Sequence, residues 1–306
     1  MGIGSFEGKL IGMGYARKTW LAVAIVAASG ASCAPGTGTP VATTPGAGGD
    51  PCAPADPSLR ELVRQTDFLV LGEIHGSTQV PRFTLQTTCA ALARSRPVVL
   101  GLEVFEGEQE RIDRFLQSPG KVSDRRELLA GPFWRRESQD GRASDAMYEL
   151  LDGVRRLIGR GAELGVYCFD GETLQGDRNR DHAMAQRLIA RHRRDPDAIW
   201  ILLTGNIHAR TRVGVPWNPQ LRPMGWYLEA SGIELVSLNV RHSPGEFWVC
   251  IPECGVAKLG GKGSPDASGV VRYPQRDADG YDGVFDVGVP SASLPAARQE
   301  AGRPPG

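Results

Sequence analysis

The sequence has no surplus of either charge: 35 Lys+Arg stand against 35 Asp+Glu in 306 residues. A protein that tracks a phosphate backbone carries a basic face, and this composition leaves none to be expected, so no nucleic-acid partner is expected. There is no CxxC and no HExxH, which removes zinc knuckles and zincin-type proteases. The apolar run WLAVAIVAA (20–28) has nine residues, about half of what a bilayer crossing needs. No self-similarity at solenoid periods is present. What is there is an ordinary globular hydrophobic content of 41%, with 39 Gly and 22 Pro concentrated toward the two ends. Setting those ends aside leaves roughly 200–240 residues, enough for one sizeable core.

Arg17 and Lys18 precede the 20–28 run, and Ser29, Gly30, Ala31 and Ser32 lead from it to Cys33. A basic flank, a short apolar stretch and a small-residue exit make an export signal over 1–33. Cys33 after small residues resembles a lipoprotein processing site, where the new N-terminal Cys takes a diacylglyceryl group; Gly30 departs from the aliphatic residue usual three places earlier. Residues 34–57 are rich in Pro, Gly, Ala and Thr and read as a flexible linker. The expected location is the bacterial envelope, with membrane contact through the lipid.

Export would make the remaining cysteines matter. Cys250 and Cys254 are close enough in sequence for a small-loop disulfide, and Cys52 and Cys89 could form a second bridge. Cys168, inside VYCF, reads as a buried thiol. Spacing alone does not fix the pairing.

The body, 58–290, alternates short apolar runs with amphipathic segments, and 291–306 reads as a disordered tail. Strands are expected at 67–72, 98–103, 165–170, 198–204 and 233–240. Helices are expected near 79–94, 107–117, 144–160 and 179–194, with a capping box at Ser58 and Glu61 opening an earlier one. Residues 118–142 read as polar and irregular. This order predicts an α/β fold with a mainly parallel central sheet covered by helices on both faces.

Four strands end in polar groups: Gly72-Glu73-Ile74-His75, Glu103, Asp170, and Gly205-Asn206-Ile207-His208. In open parallel sheets the crevice beyond the carboxyl ends of the strands takes ligands. The repeated G-x-x-H points to Glu73, His75, Glu103 and His208 as catalytic candidates, and to His75, His208 and Glu103 as candidate ligands of a divalent metal. The plain alternatives are turn residues for the histidines and a salt bridge from Glu103 to an arginine of the 179–194 helix. The two glycines suit positions where φ is positive or a Cβ would clash. Arg178, Arg180 and Asp181 open the helix after the third strand and either contact an anionic ligand or cap and pair. His182 and His192 read as solvated, and His242 as a turn residue. Trp217, Met224, Trp226 and Tyr227 either wall an apolar pocket or pack in the core.

LVLGEIHGSTQ (69–79), GLEVFEGEQERIDRFLQ (101–117), RNRDHAMAQRLI (178–189), LTGNIHARTRVGVPW (203–217), RPMGWYLEA (222–230) and YDGVFDVG (281–288) together resemble the ChaN-like haem-binding-uptake branch of the Tiki/TraB/erythromycin-esterase superfamily. The resemblance implies a surface lipoprotein that binds haem or an iron compound in iron uptake, with Trp226, Tyr227 and Arg180 toward the cofactor and Tyr227 or Tyr167 as axial ligand. Through the Tiki-like and esterase relatives it implies instead a hydrolase, metal-dependent or His/Glu-based, acting on a peptide, ester or lactone. A homodimer is compatible with either.

Overall fold

The computed structural model describes residues 51–52, 54–171, 180–250 and 252–300. The export segment, Cys33, Arg178 and most of the 34–57 linker lie outside them. In chain order the helices are α1 (Pro57–Gln65), α2 (Gln79–Leu92), α3 (Gln109–Leu116), α4 (Val122–Leu128), α5 (Pro132–Arg135), α6 (Asp145–Ile158), α7 (Arg180–His192), α8 (Asn206–Ala209), α9 (Met224–Ala230) and α10 (Ala296–Glu300). The strands are β1 (Phe68–Glu73), β2 (Val98–Phe105), β3 (Leu164–Asp170), β4 (Ile199–Gly205), β5 (Val236–Arg241), β6 (Gly245–Cys250), β7 (Cys254–Leu259), β8 (Gly269–Arg272) and β9 (Gly283–Asp286).

Seven strands form one sheet in the order β3-β2-β4-β1-β5-β9-β8. All neighbours run parallel except β8, which is antiparallel to β9 at one edge. The period-2 alternation of a strand sorts the side chains of the central strands into two cores. Leu69 and Leu71 of β1 and Ile201 and Leu203 of β4 join one core with α2, α3 and α6. Phe68, Val70, Trp200 and Leu202 join the other with α7 and α9. The strands are apolar on both faces because helices cover both faces, as an α/β sheet requires.

The strand order puts four carboxyl ends in a row. β4 lies between β1 and β2, and β3 flanks β2. Register pairs Glu73 with Gly205, so the two G-x-x-H segments leave the sheet side by side.

Several boundaries differ from the sequence reading. Helix α1 is capped by Asp56, whose carboxylate accepts from the Ser58 backbone N–H at 2.8 Å. Pro57 presets φ at the first helical position, so Ser58 is already inside the helix and Glu61 pairs with Arg64 instead of closing a box. A Cys52–Cys89 disulfide fastens the linker's end to α2, so the folded body starts before 58. The 118–142 region contains two short helices, α4 and α5. Beyond β5 the sequence reading missed four strands. Two of them, β6 and β7, make a separate antiparallel hairpin whose ends are joined by Cys250–Cys254. Cys168 is buried and unbridged.

Residues 291–300 are part of the fold, not a disordered tail. The Ser291 carbonyl accepts from the Thr78 N–H at 2.9 Å and the Leu294 carbonyl from the Asp145 N–H at 2.8 Å. The Ser293 hydroxyl oxygen accepts from the Ala146 N–H at 2.9 Å, and Ala296 is fully buried. Together these bonds satisfy N–H groups at the starts of α2 and α6 that a helix cannot satisfy itself. At about 1 kcal/mol per bond, truncation after Pro290 is expected to cost at least ~2 kcal/mol of stability, read from denaturant midpoints.

Candidate active site

Glu103 sits at the centre of the strand ends and is only 4% exposed. Its odd-numbered position in β2 puts it on the Val99 face, where Thr204 of β4 follows Trp200 and Leu202. The Thr204 hydroxyl and the Gly205 backbone N–H donate to one carboxylate oxygen at 2.7 and 2.6 Å. Arg142 and Arg180 donate to the other at 2.9 and 2.5 Å. Both arginines also hold Asp170, at the end of β3, with distances of 2.7 to 3.0 Å. Asp140 completes the group through Arg142, at 2.7 to 3.2 Å, and through Arg136. Burial alone would raise the Glu103 carboxyl; Arg142, then His208, His75 and Arg180, outweigh it and hold it well below the ordinary carboxylate range. Glu103 is therefore an ionised group, and the salt bridge to the α7 arginine is real.

The two histidines flank Glu103, each with its Nε2 3.9 Å from one carboxylate oxygen. Their other contacts differ. The His75 Nδ1 is bonded to the Glu73 carboxylate at 2.9 Å, and the His75 Nε2 has no hydrogen-bond partner among the described residues. The His208 Nδ1 is bonded to Asp181 at 2.7 Å, and Arg180 lies 2.9 Å from its Nε2. A guanidinium can only donate, so the His208 Nε2 accepts and its Nδ1 carries the proton toward Asp181. The second Asp181 contact, from the Met224 N–H at 2.7 Å, ties this carboxylate to the start of α9. Burial pushes the His75 pKa down, but Glu73, followed by Glu103 and Asp140, holds it above the ordinary 6.5.

The glycines of the G-x-x-H pair owe their places to close approach. A Cβ on Gly72 would lie 2.8 Å from that of Ala209, and one on Gly205 would lie 3.1 Å from the His75 Nε2. Neither has a positive φ; that conformation belongs to Gly76, at 89°, one residue beyond His75.

The donor set does not fit a metal ion. Among the described residues no group of three or more His, Cys, Asp or Glu stands in metal-holding geometry. The physical reason is on hand: two guanidinium groups occupy one Glu103 oxygen, Thr204 and Gly205 the other, and Arg180 together with Asp181 occupies both nitrogens of His208. The residues fit a porphyrin no better. Arg180 belongs to the Glu103 cluster, whereas Tyr227 packs on the exposed His182, ring centroids 4.8 Å apart. Trp226 lines a separate open groove of about 740 Å³ with Glu229, Ile233, Leu235 and Arg276. Tyr167 donates to the Arg187 carbonyl at 3.3 Å. The proposed cofactor set of Trp226, Tyr227 and Arg180 is thus not one place: Arg180 is held in the Glu103 cluster, Tyr227 lies on His182 and Trp226 lines the groove beside Arg276.

His182 is exposed as expected, whereas His192 and His242 differ from the sequence reading. His192 packs edge-on against Phe68 and Trp200 at 5.4 and 5.7 Å, and burial lowers its pKa. His242 is buried on Phe247, its Nδ1 2.8 Å from the Ser243 carbonyl. Burial drives the Cys168 thiol pKa up, which makes it inert. Sequence reasoning missed Arg142, Asp140 and Thr204. The signal for the first two was the Asp140-Gly141 dipeptide, a turn marker inside a stretch set aside as irregular.

No family model matches the chain, and no curated protein matches its sequence. Solved structures match its fold. A histidine-to-asparagine mutant of an erythromycin esterase, in its open conformation, aligns over 77% of this chain and 94% of its own, with a TM-score of 0.53 and 13% identity. The chain has the fold of that esterase. A succinoglycan biosynthesis protein aligns over 80% and 93% with a TM-score of 0.56 and 10% identity. A Bacillus cereus protein aligns over 78% and 92% with a TM-score of 0.50 and 11% identity. The esterase-like fold covers essentially the whole described body, so the strand-end cluster sits on a shared frame.

Removing Arg142 would strand Glu103, Asp140 and Asp170 without a shared cation. Arg142→Ala is expected to destabilise the fold by about 3–5 kcal/mol, the usual cost of breaking one side of a buried ion pair, measured by urea unfolding.

Proposed function

We propose that the protein is a hydrolase that uses a histidine–carboxylate pair, without a metal, to activate water against an acyl bond in an ester, lactone or peptide. One observation carries this reading: of the two G-x-x-H imidazoles, only that of His75 has its outer nitrogen unengaged by the described residues, with a carboxylate behind it. Glu73 holds the tautomer with the proton on Nδ1, so the Nε2 lone pair faces the site as a general base. As His75 takes a proton from water, Glu73 stabilises the imidazolium across 2.9 Å. Glu103 adds negative charge 3.9 Å from Nε2 while Arg142 and Arg180 keep it ionised. Arg180 is the cation nearest His208 and supplies positive charge to an oxyanion formed there. His208, held on both nitrogens, orients instead of exchanging protons.

Fold likeness to an erythromycin esterase supports the hydrolase class without naming a substrate. The same reading keeps an envelope location. The 17–33 segment supports export and lipid attachment at Cys33, and two disulfides suit an oxidising compartment.

The test is a panel of ester, lactone and peptide substrates with the parent and His75→Asn. Asparagine keeps an N–H toward buried Glu73 but has no basic nitrogen. The expected outcome is a loss of at least ~10² in kcat with the unfolding midpoint nearly kept. Full activity in His75→Asn, or no turnover of any panel member by the parent, would end this reading.

The pH profile follows from the raised His75 pKa. A base works only when unprotonated, so the rate is low at acid pH and rises as the imidazolium loses its proton. The midpoint of that limb in kcat/KM is expected above 6.5, the ordinary histidine value. Chelators are expected to leave the rate unchanged.

A further inference from the structure

Residues 139–142 come from the stretch that the sequence pattern did not explain, and they lie directly on the His75 loop. Gly141 has φ 95°, and a Cβ there would stand 2.6 Å from the Gly76 Cα and N and 2.9 Å from the His75 carbonyl carbon. Its backbone is therefore pressed flat on the His75–Gly76 peptide, an approach open only to glycine. On one side of Gly141, Asp140 pairs with Arg136 and Arg142. On the other, Arg142 reaches down to Glu103 and Asp170. Trp248 of β6 closes the stack from above. Its backbone N–H donates to the Gly76 carbonyl at 2.9 Å, and its indole N–H donates to the Gln139 carbonyl at 2.7 Å. The Trp248 carbonyl leaves no room for a Cβ on Gly76, which would come within 2.0 Å of it. Three backbones are thus layered: the His75 loop, the 139–142 segment and the β6 strand.

We propose that 139–142, clamped by Trp248, is the positioning element of the site: Gly141 sets the height and tilt of the His75 loop, and Arg142 locks that setting to Glu103. This rests on the reading of His75 as the base. β1 lies beneath this loop, Glu73 holds the imidazole, and the Ser293 N–H donates to the Gly76 carbonyl at 2.9 Å. The segment supplies a second, opposite wall. Displacement of a base by about 1 Å costs on the order of 10²-fold in rate, so the wall is kinetically significant without touching substrate.

The test compares two glycines with the same backbone strain. Gly161 has φ 90° and nothing within 4 Å of a Cβ, so Gly161→Ala reports strain alone. Gly141→Ala adds contact with the His75 loop. Both variants are expected to melt lower than the parent. Gly141→Ala alone is expected to lose ~10²-fold in kcat, with KM within about threefold. It alone should also shift or broaden the low-field proton resonance of the His75 Nδ1–H held by Glu73. If Gly141→Ala does not fold, Trp248→Phe keeps an aromatic ring, though a smaller one, and removes the donor to Gln139. It is expected to move the same resonance and lower kcat about three- to tenfold. Parent-like resonance and parent-like kcat in whichever of these variants folds would overturn the proposal. The resonance needs no substrate, so a parent without hydrolytic activity would end the hydrolase reading while the positioning role is still decided by Gly141→Ala against Gly161→Ala.

Discussion

An ionised carboxylate buried at the crest of a parallel sheet is the constraint on which the rest of the site depends. Taking Glu103 out of water without partners would cost several kcal/mol, more than a single hydrogen bond returns. The fold meets this with four donors from three directions. Two come from β4 (Thr204 and Gly205), one from the start of α7 (Arg180), and one from the loop before α6 (Arg142). Each donor drags its own element into place. The end of β4 must draw close to β2, α7 must begin over the strand ends, and 139–142 must cross between them. The two histidines then arrive at equal distances from the same carboxylate. A site assembled in this way is set before any ligand arrives, since its charges already face one another.

The same arrangement leaves few donors of the cluster open to a metal ion. A divalent ion would need the lone pairs of Glu103 and of the histidines, and arginine is already bonded to one Glu103 oxygen and to the His208 Nε2, with Thr204 and Gly205 on the other oxygen. Arginine keeps its proton at any working pH, so it cannot step aside by neutralising. Positive charge at this site is built into the polypeptide. That accounts for a motif whose residue types read as ligands in the sequence and whose geometry does not.

Much of the frame was legible because it rests on periodicity and on residue types with one strong preference. Runs such as FLVLG and AIWILL are short and have no polar face, as strands covered on both sides do, and all four of the first strands were found with their polar ends. The Cys250–Cys254 bridge and the buried Cys168 followed from proximity and an apolar setting, whereas Cys52–Cys89, 37 residues apart, was one possible pairing that the structure forms. Other parts were hidden for physical reasons. Short helices such as α4 and α5 carry too few turns for a period to emerge. β8 and β9 are four residues each and are defined by pairing with distant partners. Residues 291–300 look like a tail because their stabilisation comes from backbone bonds to Thr78, Asp145 and Ala143, which no side-chain pattern encodes. Arg142 was invisible for a similar reason: an arginine in a polar loop becomes special only once Glu103 and Asp170 are known to lie beneath it.

The two G-x-x-H segments show how far a motif can be trusted. In sequence they share the glycine and the histidine and differ at one polar place, Glu73 against Asn206. In the structure they interlock, with Gly72 against Asn206 of the second and the Ala209 that follows it, and Gly205 against His75 of the first. Their glycines are therefore explained by each other, as a packing pair on adjacent strands. Their histidines are separated by what lies two residues upstream and nearly thirty residues upstream. Glu73, in the motif itself, holds the inner nitrogen of His75. Arg180 and Asp181, on α7, take both nitrogens of His208. The chemical asymmetry of the site thus comes from Glu73 inside the first motif and from α7 beside the second. A reading that stops at the motif assigns the same role to both histidines. Once the start of α7 is placed over the strand ends, only one of them keeps a nitrogen available for proton transfer.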